Sequence, residues 1–161
     1  MISMIACMAK NRVIGQNGNI PWHIKEDFQH FKRYTLNKAV LMGRTTFKSL
    51  NEKPLVNRTN YVLTSNIDLY KDRNDIIVIN NLLDTLNEYM NTNNELVIIG
   101  GEKVYKQCLP YCDEIILSVI NKDYDGDTYF PEFENDFYLY DVVKYSEFSV
   151  LYYRRSWYKD V

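Results

Sequence analysis

Asp27 stands where an amphipathic helix would carry an apolar side chain. Ile24, Phe28 and Phe31 follow the i, i+4, i+7 spacing of one buried helical stripe. Asp27 is the i+3 member of that stripe and shares its face with Phe31 and Tyr34. A carboxylate held against apolar surface is costly unless something polar meets it. Two readings follow. Asp27, like Glu26 beside it, could simply favour the positive end of the helix dipole in the first turn. Alternatively the helix presents a carboxylate to a polar ligand, and the segment before it weighs toward this second reading.

That segment runs from Lys10 to His23. It follows the apolar run Ile2 to Met8 and delivers the chain to the helix carrying Asp27. Gly15, Asn17-Gly18 and Pro21 are turn residues, so this is a loop of some length. Ile14, Ile20 and Trp22 give it apolar side chains that must fold back onto something, as in a lid over a site.

Two strand-to-helix turns can hold an anion. Val40-Leu41-Met42 runs into Gly43-Arg44-Thr45-Thr46, where free backbone N–H groups, a guanidinium and two hydroxyls converge. Val97-Ile98-Ile99-Gly100-Gly101 repeats the arrangement, with Lys103 in the following turn. Together they could cradle the two ends of a dinucleotide at the carboxyl edge of an open sheet. Either alone is more simply read as a tight turn that needs glycine. Neither is G-x-G-x-x-G, so a Rossmann fingerprint is absent. Thr64-Ser65 closes a third strand with a hydroxyl pair, and an isolated Arg58 would ordinarily be a solvated charge.

The elements that must position these groups alternate. Apolar, β-rich runs occur at 2–8, 39–42, 60–63, 76–79, 96–99 and 114–119, and helical periodicity at 24–34, 45–50, 82–90 and 102–109. This alternation predicts a mixed α/β fold whose central sheet is largely parallel, with helices on both faces. The tail differs: 138–145 and 148–158 form an expected antiparallel hairpin joined at Ser146-Glu147. Asn91-Thr92-Asn93-Asn94 reads as a surface turn.

A chain of 161 residues is the size of one domain and buries roughly 70% of its unfolded surface. Apolar content of 46% and charged content of 25% belong to a globular protein. No run approaches the roughly 20 apolar residues of a membrane span, and the N-terminus lacks a signal sequence, so a cytoplasmic location is expected. A net charge of −2 gives no general attraction to nucleic acid. Cys7, Cys108 and Cys112 lack zinc or redox spacing and read as small buried hydrophobes, so no metal site is indicated.

The motifs taken together resemble dihydrofolate reductase. They are Val13-Ile14-Gly15, Ile20-Pro21-Trp22-His23, the helical Asp27, Met42-Gly43-Arg44-Thr45-Thr46-Phe47, Pro54-Leu55, Arg58, Leu63-Thr64-Ser65, Ile99-Gly100-Gly101 and Gly126-Asp127-Thr128-Tyr129-Phe130-Pro131. They span nearly the whole chain, in order and without a large insertion.

The resemblance implies one reductase domain over residues 1–161, acting as a monomer. It would reduce 7,8-dihydrofolate to tetrahydrofolate with NADPH, by hydride transfer to pterin C6 and protonation at N5. Asp27, Trp22 and Ser118 would be the catalytic set, with Asp27 on the pterin amidine edge and the other two holding its hydrogen-bond network. Ile5, Ala6, Asp27, Phe28, Phe31, Lys32, Leu50, Leu55, Arg58, Ile99 and Ser118 would bind dihydrofolate or antifolate-type molecules. Within that set Arg58 would take the α-carboxylate of the glutamate tail, a bidentate pairing suited to guanidinium, with Lys32 adding charge nearby.

NADPH would meet Cys7, Ile14, Gly15, Asn19, Ile20, Gly43, Arg44, Thr45, Thr46, Leu63, Thr64, Ser65, Ile99, Gly100, Gly101, Glu102, Lys103, Val104 and Tyr105. Arg44 and Ser65 would reach its 2′-phosphate, and Gly100-Gly101 would form a cis peptide beside the nicotinamide. Departures from the commoner family pattern are modest, with Lys53 and Asn57 lying in the variable, substrate-adjacent segment before Arg58. Ser118 stands where Thr is frequent, and Glu102 puts an acid beside the pyrophosphate turn, which weakens binding unless it points outward. Two rivals remain: a reductase of another heterocycle, of the flavin-pathway type, and a catalytically idle nucleotide-binding protein. Asp27 with Arg58 speaks against the first, and Asp27, Trp22 and Arg44 together against the second.

Overall fold

The computed structural model describes residues 1–157. Its core is an eight-stranded sheet in the order β5-β4-β3-β6-β1-β7-β10-β9. The strands are β1 (Ile2–Met8), β3 (Ala39–Gly43), β4 (Thr59–Leu63), β5 (Ile77–Ile79), β6 (Leu96–Gly100), β7 (Glu114–Ile120), β9 (Phe137–Lys144) and β10 (Phe148–Arg155). Every pairing from β5 to β7 is parallel, and β10 runs antiparallel to both β7 and β9. β1, β3 and β6 are almost wholly buried, as the unbroken apolar runs of a two-sided sheet demand. The C-terminal hairpin forms as expected through Arg155, and its expected extension to Tyr158 lies outside the described residues.

Among the described residues four α-helices cover the sheet: α1 (Lys25–Thr35), α2 (Arg44–Ser49), α3 (Leu82–Tyr89) and α4 (Glu102–Cys108). Residues of α3 and α4 join one core with Ile2, Met4, Leu41 and Leu117, whereas those of α1 and α2 join a second with Ile5, Val40, Met42 and Ile116. Alternation along each strand sends successive side chains to opposite cores. The turns after β3 and β6 both enter helices at the same edge, because Met42 pairs with Gly100. Among the described residues no helix is long and apolar enough to cross a membrane.

Two short strands were not foreseen. β2 (Val13–Gly15) pairs antiparallel with β8 (Thr128–Tyr129), which anchors the start of the loop before α1. The expected stripe on α1 also needs correcting. Phe28 is 45% exposed, while His30 and Thr35 are the buried positions of that helix. The sheet lies under the face of Asp27, His30, Phe31 and Tyr34; Tyr34 reaches Ser3 on β1, its hydroxyl donating at 3.0 Å. Phe28 is turned off that face, toward the ring of His23 at 4.9 Å.

The cysteines also divide. Cys108 and Cys112 are buried as expected, and burial pushes the Cys108 thiol up to about 12. Cys7 is only partly buried, because it sits at the open carboxyl end of β1.

Candidate active site

The carboxyl end of the parallel strands supplies the floor of the site. Cys7 of β1 pairs in register with Ser118 of β7, and Ser118 is buried. Asp27 on α1 is half-buried beside the Cys7 thiol, and Trp22, at 8% exposure, meets the same thiol. The Cys7 thiol sits between them. Burial first, then the Asp27 carboxylate beside it, raise its pKa far above the ordinary thiol range, while hydrogen bonding to Trp22 opposes them. Cys7 is therefore held protonated as a thiol neighbour of the carboxylate. The Trp22 ring is fixed in turn by Tyr124, with centroids 5.0 Å apart.

Apolar side chains pack on both faces of the sheet. Ile5, Phe31, Leu50, Leu55 and Ile99 belong to the core that contains Trp22 and Ile24. Ala6, Ile14, Leu63, Val104 and Tyr105 belong to the opposite core. The two groups meet at the strand ends, where Tyr105 donates its hydroxyl to the Ile5 carbonyl at 2.8 Å.

Arg58 guards the far end of α1. Its Nε donates to the Thr35 hydroxyl at 3.0 Å, Nη1 to the Val56 carbonyl at 2.7 Å and Nη2 to the Lys32 carbonyl at 3.3 Å. A guanidinium so braced is a fixed feature rather than a wandering surface charge. Asn60, at 3% exposure, holds the loop that carries it: its amide donates to the Leu55 and Arg58 carbonyls and its oxygen accepts the Leu55 N–H. Asn60 is not among the site residues expected from sequence, although a polar residue heading an apolar strand is a signal. The Lys32 side chain is exposed.

The two glycine turns lie side by side. A Cβ at Gly43 would come within 3.0 Å of Val104, and one at Gly100 within 3.4 Å of the Thr46 hydroxyl and 3.3 Å of that of Tyr105. Gly100 has φ +126°, and the Gly100-Gly101 peptide is cis. Arg44, Thr45, Ser65 and Lys103 stand exposed along this edge, and Thr64 is buried below it. Beyond Leu63 opens a concavity of about 240 Å³ lined also by Leu82, Leu83, Leu86, Gln107 and Tyr111. Of these only Leu63 belongs to a motif visible in the sequence.

The loop before α1 folds over the same edge. Its tip is a tight hairpin in which Gln16 and Asn19 exchange backbone hydrogen bonds at 2.7 and 3.0 Å. Asn17 and Gly18 both have positive φ, 51° and 79°, as an Asn-Gly turn requires. Asn19 and Ile20 are exposed, Ile20 at 54%.

The order of these features along the chain is matched elsewhere: the family model described as dihydrofolate reductase matches residues 1–150. The chain belongs to the dihydrofolate reductase family. It is similar to the dihydrofolate reductase of Mycoplasma genitalium, with 37% identity over 159 residues, covering 97% of this chain and 99% of that one. That of Bacillus subtilis is 37% identical over 134 residues, covering 83% and 77%. Among solved structures, dihydrofolate reductase from Enterococcus faecalis complexed with NADP(H) and RAB-propyl superposes with a TM-score of 0.87. Identity there is 30%, over 97% of this chain and 96% of the other.

Glu102, the acid beside the glycine pair, is engaged at both of its oxygens. Its Oε2 accepts the Tyr129 backbone N–H at 2.5 Å, and Oε1 lies 3.6 Å from the Lys106 ammonium. Among the described residues no group of three or more His, Cys, Asp or Glu is placed to hold a metal.

Proposed function

We infer that this protein reduces 7,8-dihydrofolate to tetrahydrofolate with NADPH. The observation that carries the inference is the half-buried Asp27 carboxylate beside Cys7 at the carboxyl end of β1, on the side of the sheet where Ile5, Phe31, Leu50, Leu55 and Ile99 pack. A carboxylate there suits the amidine edge of a pterin through charge-assisted hydrogen bonds, and favours the protonated, more electrophilic ring. Cys7 lies beside it, and Trp22 and Ser118, both neighbours of Cys7, would complete its polar environment. The apolar walls Ile5, Ala6, Phe28, Phe31, Leu50, Leu55 and Ile99 would grip the ring system. Arg58, with Lys32 beside it, would take the α-carboxylate of the glutamate tail.

The residues at the strand edge fit NADPH. Gly43 and Gly100 let the ends of β3 and β6 pack closely against Val104, Thr46 and Tyr105, and Arg44 and Ser65 lie exposed at the outer margin of this edge. We assign the 2′-phosphate to Arg44 and Ser65, with Thr45, Thr46 and Thr64 adding hydroxyls. The adenine would enter the concavity at Leu63 and the nicotinamide would lie at Ile14, Gly15, Asn19, Ile20, Cys7 and Gly100-Gly101. Lys103, Val104, Tyr105 and Glu102 belong to the helix behind that turn. Bound there, NADPH supplies the hydride delivered to pterin C6. The protein orients the two rings, excludes water beneath the Asn11–His23 loop, and holds the proton destined for N5 near Asp27.

The assay is direct: loss of absorbance at the reduced-nicotinamide band when dihydrofolate is added to protein and NADPH. No loss under conditions where both ligands bind would defeat the reading. The same reading has the enzyme working as a cytoplasmic monomer on residues 1–161, open to light scattering and cell fractionation.

A further inference from the structure

We propose that Glu102 is a positioning residue of the cofactor site, a strut that ties the lid to the Gly100-Gly101 turn. The proposal rests on the NADPH reading above. Glu102 opens α4 directly after the glycine pair, and its carboxylate crosses to the backbone N–H of Tyr129 in β8 at 2.5 Å. β8 is in turn locked to the lid. Val13 pairs with Tyr129, the Asp127 N–H donates to the Gly15 carbonyl at 3.0 Å, and the Asn17 N–H donates to Asp127 Oδ2 at 3.0 Å. Packing closes the joint: a Cβ at Gly126 would stand 2.2 Å from Val13 and 2.6 Å from the Gly15 carbonyl.

The strand pair β2–β8 therefore behaves as one body with the root of the lid, and the Glu102 side chain links that body to the cofactor turn. A two-residue strand has too little backbone pairing to hold its place alone. The contact also accounts for an acid at this position. With Tyr129 and Lys106 engaging its two oxygens, the carboxylate serves the joint rather than opposing a phosphate. Two consequences follow. Removing the carboxylate should loosen the lid even without cofactor, and with cofactor it should hasten release more than it slows the hydride step.

The test compares Glu102→Ala with Glu102→Gln, which keeps an acceptor oxygen but no charge. Amide hydrogen exchange is measured by NMR without cofactor. In Glu102→Ala the Tyr129 amide should exchange about tenfold faster or more, as befits loss of a hydrogen bond to a charged group, and Asn17 should follow it. Glu102→Gln should recover most of that protection. Stopped-flow NADPH release should quicken several-fold in Glu102→Ala, with single-turnover hydride transfer changed less.

Unaltered exchange at Tyr129, or at Asn17 while Tyr129 loosens, would overturn the strut. A uniform rise that includes the core amides of Ile98 and Leu117 would make the residue merely structural and overturn it equally. Slower NADPH release in both variants would overturn it too, by showing the carboxylate to be a charge that repels the cofactor. A parent protein that binds no NADPH in titration would bring down the cofactor reading and the site's role with it; the exchange arm separates that failure from failure of the strut.

Discussion

Two side chains on α1 carry opposite demands. Asp27 is half-buried beside Cys7 and Trp22, and its assigned role needs a charge. Asp27→Asn keeps the shape and removes that charge. Turnover should fall by about 100-fold or more, the usual scale for a positioned acid or base, while NADPH affinity stays intact. The deficit should shrink as pH falls and dihydrofolate gains its proton from solvent. Normal turnover of Asp27→Asn near neutral pH would remove the role.

One turn further on, His30 is 6% exposed and its Nε2 has no hydrogen-bond partner among the described residues. Burial lowers its pKa first; Asp27 pulls it back up and Arg33 pushes it down. The folded protein therefore takes up this proton at lower pH than the unfolded chain does. Its contribution to stability is full above the unfolded value of about 6.5 and is lost as pH falls below it toward the folded value. His30→Phe, which removes the titrating group, should leave urea midpoints little changed at pH 8 and flatten their decline below about pH 6.5. An acid limb identical to the parent's would show that His30 does not titrate on unfolding.

At the scale of elements, Arg58 shows how a loop residue becomes a fixed one. The last turn of α1 offers it the Lys32 carbonyl and the Thr35 hydroxyl, and Asn60 at the head of β4 clamps its loop. Arg58→Leu should raise the Michaelis constant for dihydrofolate steeply, with the hydride step in single turnover nearly untouched. A pterin lacking the glutamate should bind variant and parent alike. Dihydrofolate affinity that survives the change would end the assignment.

The strands and helices around this residue were legible in the sequence, because apolar runs such as Val97-Ile98-Ile99 and the amphipathic stretch before Tyr34 carry strong periods. β2 and β8 were not, since strands of three and two residues contain no period to read. Phe28 was placed on the buried stripe because the wheel fixes relative angles, but not which arc meets the sheet. Asp27, Arg58 and the glycine turns were visible as residue types out of place. The neighbours that hold them, Cys7 against Asp27, Asn60 against the Arg58 loop and Tyr129 against Glu102, come together only through long-range pairing.

Across the whole molecule, the cofactor reading spans separate pieces: the ends of β3, β4 and β6, the concavity beside α3 and α4, and the lid tied to β8. A ligand that touches all of them binds the folded chain alone, so it should raise the thermal midpoint by mass action. At about 100 times its dissociation constant NADPH would contribute about 2.7 kcal/mol. For a chain of this size that corresponds to a rise of about 5–10 °C. Arg44 lies exposed at the edge assigned to the 2′-phosphate, the group that distinguishes NADPH from NADH. Losing a charged partner of that phosphate costs about 1.5–3 kcal/mol, so in Arg44→Ala the same NADPH concentration should give about half the shift or less. NADH, which lacks the phosphate, should shift parent and variant by the same amount. Scanning calorimetry with both cofactors and both proteins decides the matter. Equal weakening toward NADPH and NADH would move Arg44 away from the 2′-phosphate, and no shift of the parent by NADPH would refute a binding surface shared by these pieces.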